Sequence, residues 1–223
     1  MGRRVRHAVR QVRHRVDGQH RRRAARGRVT PASLADVAWP VRTERLLLRP
    51  ATVADLEVVW TRWRQGDDVG RWLSEPAPPL DVYLEHLGTP ERLATILVAE
   101  HEDQVVMDLH LRVQNSYAQS EVAKRAAGTK ANLGWTMDPR VHGRGLATEG
   151  LRAALGICFD GLGVHRVEAD CFAANTASWR LMERVGMRRE AHFVEASLHR
   201  ELGWTDMYAY GMLALDWKAL NHA

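Results

Sequence analysis

Long apolar runs are missing from this chain of 223 residues. None nears the roughly 18–20 consecutive apolar residues of a membrane-crossing helix, so no transmembrane segment is expected. Cysteine is scarce: Cys158 and Cys171 are the only two, set in segments that read as helix and strand. That spacing fits neither a disulfide framework nor a metal knuckle. Both are read as small core residues, and a reducing, cytoplasmic setting follows as the expectation. His110, His165, His192 and His199 also lack metal-type spacing, so they are read as structural and no metal is expected. The N-terminus opens on charges with no apolar stretch behind them, which argues against a secretory signal. No internal repeat is visible.

What is present is an ordinary globular composition, 45% apolar and 26% charged, enough for one domain with a sizeable core. The charge is unevenly placed. Residues 1–30 hold eleven arginines against the single acid Asp17, a net +10, whereas the remainder carries 21 basic and 26 acidic side chains, a net −5. The division expected is an arginine-rich arm over 1–38 and a mildly acidic folded domain over 39–223. In the arm, Val5, Val9, Val12 and Val16 recur at helical spacing among basic residues. Such a helix suits RNA, a ribosome or an anionic membrane surface. A solvated tail is the plainer alternative, and so is translation of GC-rich upstream DNA.

Downstream the pattern alternates between strand and helix. Glu44–Arg49 reads as a strand ended by Pro50. Leu56, Val59, Trp60 and Trp63 form a helical apolar stripe. Asp81–Leu87 reads as a short helix, Leu93–Glu100 and Val105–Val113 as a hairpin, and 114–130 as a long loop with room for a helical turn. The C-terminal third reads as strand 131–138, a glycine turn, a helix to about Phe159, strand His165–Ala173 and an Asn-led helix closed by Gly186. Two closing strands follow, Met187–Ala196 and Met207–Trp217. About seven strands and four helices in mixed order imply an α+β architecture on a single mixed, mostly antiparallel sheet.

The segment richest in chemistry is Arg140-Val-His142-Gly143-Arg144-Gly145-Leu146-Ala147-Thr148-Glu149. Glycines that open a helix expose unpaired backbone N–H groups, an anion site by construction. Arg140, His142 and Arg144 add positive charge, and a pyrophosphate is the expected guest. A lone Gly-x-Gly turn is weak and an Asn before a helix is usually only a cap. The ordered set of strand, His142-Gly-Arg-Gly145-Leu-Ala147, helix, strand, Asn175-x-x-Ser178, helix and Gly186-Met187 is far more specific.

That set resembles the GCN5-related N-acetyltransferase (GNAT) superfamily, and within it the branch with the RimJ/RimL-type ribosomal-protein N-terminal acetyltransferases. The resemblance runs from about Thr43 to Trp217 and is strongest from Leu133 to Met187. It implies a GNAT fold and acetyl-CoA as co-substrate. The family loop Gln/Arg-x-x-Gly-x-Gly/Ala maps onto His142, Gly145 and Ala147. A second register from Arg140 also fits, but the first places Ala-Thr-Glu149 where the branch usually has it. The resemblance implies pyrophosphate contacts from His142 through Thr148 and a pantetheine contact from Asn175. It puts Ser178 near the thiol and Met137 near the thioester.

It further implies direct attack of an amine on the thioester in a ternary complex. Proton removal, oxyanion stabilisation and thiolate departure then need groups. Met182 stands where many members carry a Tyr acid, which leaves Ser178 as the replacement candidate, or as a residue that only packs beside the cofactor. Glu195 matches an acidic position of the branch and is the candidate base, or else a solvated strand carboxylate. Glu149 and Glu168 match branch positions too, and either could serve to orient structure. Met107 replaces a frequent Gly, so unusual packing on the acceptor side is expected. Trp72 and Trp204 are candidates for a substrate groove.

An α-amine with pKa about 7.7–8.0 is roughly 10–15% neutral at pH 7, against about 0.04% for a lysine amine. A site with no evident strong base therefore suits a protein N-terminal α-amine. The alternatives are a small amine such as an antibiotic, polyamine or amino-acid derivative, and, in another class, an RNA- or ribosome-docking module with weak catalysis. A homodimer remains open.

Overall fold

A computed structural model of the chain describes residues 33–221; the valine pattern of the arm lies outside the described residues. The alternating segments join one sheet, in the order β1-β2-β3-β4-β5-β6-β8-β7. Its strands are β1 (Val41–Arg42), β2 (Leu47–Pro50), β3 (Ile96–His101), β4 (Gln104–Gln114), β5 (Lys130–Met137), β6 (Arg166–Phe172), β7 (Arg188–His199) and β8 (Gly203–Leu213). Every pairing is antiparallel except β5 with β6. The sheet has one strand more than the sequence suggests, because Val41–Arg42 folds back on Leu47–Leu48.

The helices are α1 (Val53–Val59), α2 (Asp67–Gly70), α3 (Leu80–Leu87), α4 (Pro90–Leu93), α5 (Leu146–Gly156), α6 (Thr176–Arg184) and α7 (Ala214–Asn221). A wider π turn, Trp60–Arg64, continues α1, and another, Ile157–Gly161, continues α5. The last expected strand stops at Leu213, and Trp217 lies in α7 instead. There its ring stacks on Phe159 at 5.9 Å and its Nε1 donates to Asp160 at 2.9 Å, contacts that a strand continuing the sheet would forgo. The core also reaches upstream of Trp39, since Leu34 is buried in it and its carbonyl accepts the Trp39 indole N–H at 2.8 Å.

Two cores cover the two faces of the sheet. Leu97, Met107, Leu109, Leu133 and Met137 pack with Leu151, Leu155, Leu181 and Met182 from α5 and α6. Ile96 and Val98 pack with Leu56, Val59, Trp63, Tyr83 and Leu87 from α1, its π turn and α3. Successive β3 residues thus divide between faces, as a pleated strand requires.

One seam is incomplete. β5 and β6 are parallel and are joined by the α5 crossover, yet they pair only at Lys130–Arg166, Ala131–Val167 and Asn132–Glu168. β5 continues to Met137 and β6 to Phe172 without further pairing, so the strands splay. Glu168 holds the closed end, paired with Lys130 at 2.9 Å and Arg166 at 2.7 Å. That is the orienting role its position left open.

Candidate active site

The glycine turn lies at the open end of this splay. Beyond Met137, Asp138 is fully buried and caps a short turn, Pro139–Val141, by accepting the Arg140 N–H. Burial pushes the Asp138 carboxyl up, but bonds from Arg140 and the charge of Arg62 outweigh it and hold it below the ordinary carboxylate range. Arg140 is therefore committed to Asp138, with Nη2 at 2.7 Å. All three cations expected around the turn are exposed, and Arg140 is the one of them that pairs with Asp138.

Gly143 and Gly145 have φ of 76° and 79°, the left-handed region where a side chain is strained. A Cβ at Gly143 would meet nothing within 4 Å. Glycine is needed there for the backbone, and the space beside it is open. α1 is capped by Thr52 and α6 by Asn175, but α5 begins at left-handed Gly145 with no side-chain cap. Its first inward-bonding amides are those of Thr148 and Glu149, both to the Gly145 carbonyl. The N–H groups of Leu146 and Ala147 are thus orphans of the helix start. Open space, unpaired amides and a helix N-terminus match what a pyrophosphate needs.

Glu149 does not point at this cradle. It accepts the Thr43 hydroxyl at 2.6 Å, the Arg45 N–H at 2.7 Å and the Arg45 guanidinium at 2.7 Å. Burial raises its pKa, and these bonds lower it further, to a net value below the ordinary range. Arg45 also donates to the Arg144 carbonyl at 2.8 Å. Glu149 therefore positions the turn through Arg45.

Across the splay, Asn175 Oδ1 accepts the Ser178 N–H at 3.2 Å. This cap uses only the oxygen, and the side-chain NH2 keeps both donors. The half-buried Ser178 hydroxyl lies against the Cys171 thiol, whose pKa burial pushes up to about 11. Met182 is fully buried, far from any role in proton transfer. Glu195 sits in a bulge where β7 slips against β8, with φ of 46° and an exposed side chain. Its N–H donates to Asp206 at 2.9 Å. Among the described residues no hydrogen bond links its carboxylate to Met137, Asn175 or Ser178. Met107 packs against Gly150 of α5 rather than on the acceptor side. Alternation along β4 decides this, sending odd-numbered Met107, Leu109 and Leu111 toward α5.

On the opposite face lies a polar group that was not expected as a site, with His110 read as structural and Trp63 as part of an apolar stripe. Asp108 accepts the Thr136 hydroxyl and stands 3.1 Å from His110 Nε2 and 3.5 Å from Arg64 Nη1. Trp63 Nε1 donates to Thr136 at 2.7 Å. The available signal was an acid in the midst of the apolar run Val105–Val113. Arg64 also lines a groove of roughly 490 Å³ with Trp60, Asp67, Arg71, Pro78 and Glu201. Neither Trp72 nor Trp204 lines this groove. Trp72 packs at a tilt against His199, ring centroids 5.6 Å apart, and Trp204 is exposed on β8. A second groove, roughly 670 Å³, runs along α5 past Thr148, Arg152 and Trp217 and touches none of the Asp108 group.

A single mixed sheet flanked by helices, splayed at its parallel seam with a glycine turn at the open end, is the architecture of a GNAT fold. The sequence matches the acetyltransferase (GNAT) domain family over residues 45–188, and the chain belongs to that family. It is 34% identical over 85 residues to the uncharacterized N-acetyltransferase YnaD of Bacillus subtilis, a match spanning 38% of this chain and 49% of that relative. A GNAT-family acetyltransferase from Bacillus anthracis superposes with a TM-score of 0.66 at 26% identity, covering 79% of this chain and 99% of that one. The spermidine N-acetyltransferase of Vibrio cholerae, solved with CoA and spermine, superposes with a TM-score of 0.66 at 18% identity and covers the same shares. That likeness is one of fold. Among the described residues no helix is long and apolar enough to cross a membrane, and no cluster of His, Cys, Asp or Glu suits a metal ion.

Proposed function

We propose that this chain is an acetyl-CoA-dependent N-acetyltransferase whose acceptor is a protein N-terminal α-amine. The observation that carries the reading is the uncapped start of α5, with two left-handed glycines beside an open strand seam. Amides of residues 143–147 hold the pyrophosphate, with His142 at the head of the loop and Thr148 at its end. The unpaired edge of β5 hydrogen-bonds the pantetheine amides, and the free NH2 of Asn175 adds a donor. The thioester lies near Met137, where β5 amides stabilise the oxyanion. Ser178 supplies a hydrogen bond to the departing sulfur.

The groove beside Arg64 receives the acceptor. Its charges are Arg64, Arg71 and Arg200 against Asp67 and Glu201. That lining lacks the acidic excess a polyamine calls for and offers N–H donors to peptide carbonyls. Thr148-Glu149 after the glycine turn supports the RimJ/RimL-like branch. The groove volume also falls in the range of small-molecule sites, which favours a small uncharged-bodied amine as the second reading.

Calorimetric titration of acetyl-CoA into the wild type and Gly145→Glu tests the cofactor site. Micromolar affinity in the wild type and none in the variant is expected. Equal affinity in both would remove the pyrophosphate from this turn. An acceptor screen of free N-terminal peptides, spermidine and kanamycin then separates the acceptors, and turnover confined to kanamycin or spermidine would overturn the peptide reading.

A further inference from the structure

On the α1 face, where β4 pairs with the stretch of β5 that lies beyond its pairing with β6, several polar side chains come together. Asp108 is 1% exposed in the middle of β4. A carboxylate so deep is costly unless its oxygens are satisfied. Burial pushes its pKa up, but the bond from His110, the charge of Arg64 and the Thr136 hydroxyl together hold it below the ordinary value. It is ionised, and an ionised carboxylate only accepts hydrogen bonds. His110 Nε2, at 3.1 Å, is therefore the donor, and in the neutral ring the lone pair is then on Nδ1.

Three further observations point from this pair toward a guest. His110 retains 27% side-chain exposure. Directly across β4 and β5 its partner is Gly134, where a Cβ would meet nothing within 4 Å. Cross-strand partners share a face, so the absent side chain leaves a lane from His110 to the stretch of β5 that has already parted from β6. Finally, the buried Tyr83 hydroxyl has no hydrogen-bond partner among the described residues. It stands close enough to Arg64 and Asp108 to sense both charges, and the Arg64 guanidinium lies 5.4 Å from its ring centroid. Arg64 in turn lines the groove assigned to the acceptor.

We infer that His110, oriented by Asp108, is the catalytic base that takes a proton from the acceptor ammonium. The inference rests on the N-acetyltransferase reading. Nδ1 accepts one N–H proton and frees the nitrogen lone pair. That pair forms the C–N bond to the acetyl carbonyl carbon, and the C–S bond breaks with its electrons on sulfur. The second N–H proton passes to the departing thiolate, and the imidazolium releases its proton to water. The other groups on this side are Asp108 and Arg112 from β4, Arg64 from the π turn, Tyr83 from α3 and Thr136 from β5.

The test compares wild type, His110→Gln, His110→Ala and Gly134→Val. Acetyl-CoA affinity is measured by calorimetry, and kcat/KM against pH with an alanine-led hexapeptide, spermidine and kanamycin. If none of the three is accepted, slow acetyl-CoA hydrolysis gives the readout, with water as nucleophile. His110→Gln should bind acetyl-CoA as the wild type does, lose about 10²-fold or more in rate and lose the acidic limb of the profile. Imidazole should restore His110→Ala in part. Gly134→Val, which fills the lane and leaves His110 in place, should fold and turn over slowly. A His110→Gln enzyme with wild-type rate and an unchanged acidic limb would overturn the assignment. Wild type that binds no acetyl-CoA would instead defeat the acetyltransferase reading on which it stands.

Discussion

At Gly145 the chain needs a left-handed residue in the loop proposed to hold the pyrophosphate, and the side chain of Arg45 already stands 3.5 Å from where a Cβ would be. Gly145→Ala should cost about 1–2 kcal/mol of stability through the left-handed backbone alone. It should also weaken acetyl-CoA binding, readable by thermal melts with and without the ligand. Asp138 and Glu149 give a second prediction. Both carboxyls titrate below their ordinary values in the folded chain. Their contribution is complete above the unfolded pKa of about 4 and is lost as pH falls through the lowered folded values. Asp138→Asn and Glu149→Gln should therefore unfold at lower urea concentration at pH 7, and the gap to wild type should shrink as the pH is taken below about 4. A gap independent of pH would mean that lost packing, not charge, decides their effect. The thiols offer a check on the core: burial pushes both Cys158 and Cys171 up. Native protein at pH 8 should resist a thiol reagent that labels both residues in urea.

The π turn Trp60–Arg64 is the element that brings the α1 face to the chemistry. A widened turn shifts side-chain direction relative to a continuing α-helix, and here it carries Trp63 to Thr136 and Arg64 to Asp108. Trp63→Phe removes the donor and puts a smaller ring in a fully buried site. The lost bond and the unfilled volume together should cost about 1–3 kcal/mol and loosen Arg64, so that KM for the acceptor rises with acetyl-CoA affinity intact. An unchanged KM would separate the turn from acceptor binding. At the other end of the sheet, β7 is an edge strand interrupted by the bulge at Glu195, which breaks the flat edge that another chain would need for pairing.

Charge divides the molecule more sharply than its fold does. A net −5 over residues 31–223 and +10 over residues 1–30 gives two electrostatic bodies in one chain. A chain without residues 1–30 should keep its acetyl-CoA affinity and turnover. If the arm docks on RNA, the shortened chain should also lose a retention on RNA that in the full chain falls steeply with salt. Equal retention of both chains would show that the arm has no part in it, and loss of turnover would tie the arm to the active site.

Local spacing in the sequence was enough for the alternation of strands and helices, the glycine turn before α5, the Asn175 cap and the family they resemble. Each is written within a few residues, by period, turn chemistry or capping. The splay at β5 and β6 is different. It depends on how far two strands remote in sequence stay paired, and no local pattern records where Lys130–Asn132 stops matching Arg166–Glu168. The same holds for Glu149, which reads as a helix residue but is spent on Thr43 and Arg45, more than a hundred positions away. Asp108, His110, Arg64 and Tyr83 come from three elements, and only the packing of α1, its π turn and α3 on the sheet brings them into one buried polar group. The sequence determined the glycine turn and its uncapped helix start because their geometry is local; the tertiary structure decided the polar group around Asp108, because a charge buried among distant partners exists only once the chain has folded around it.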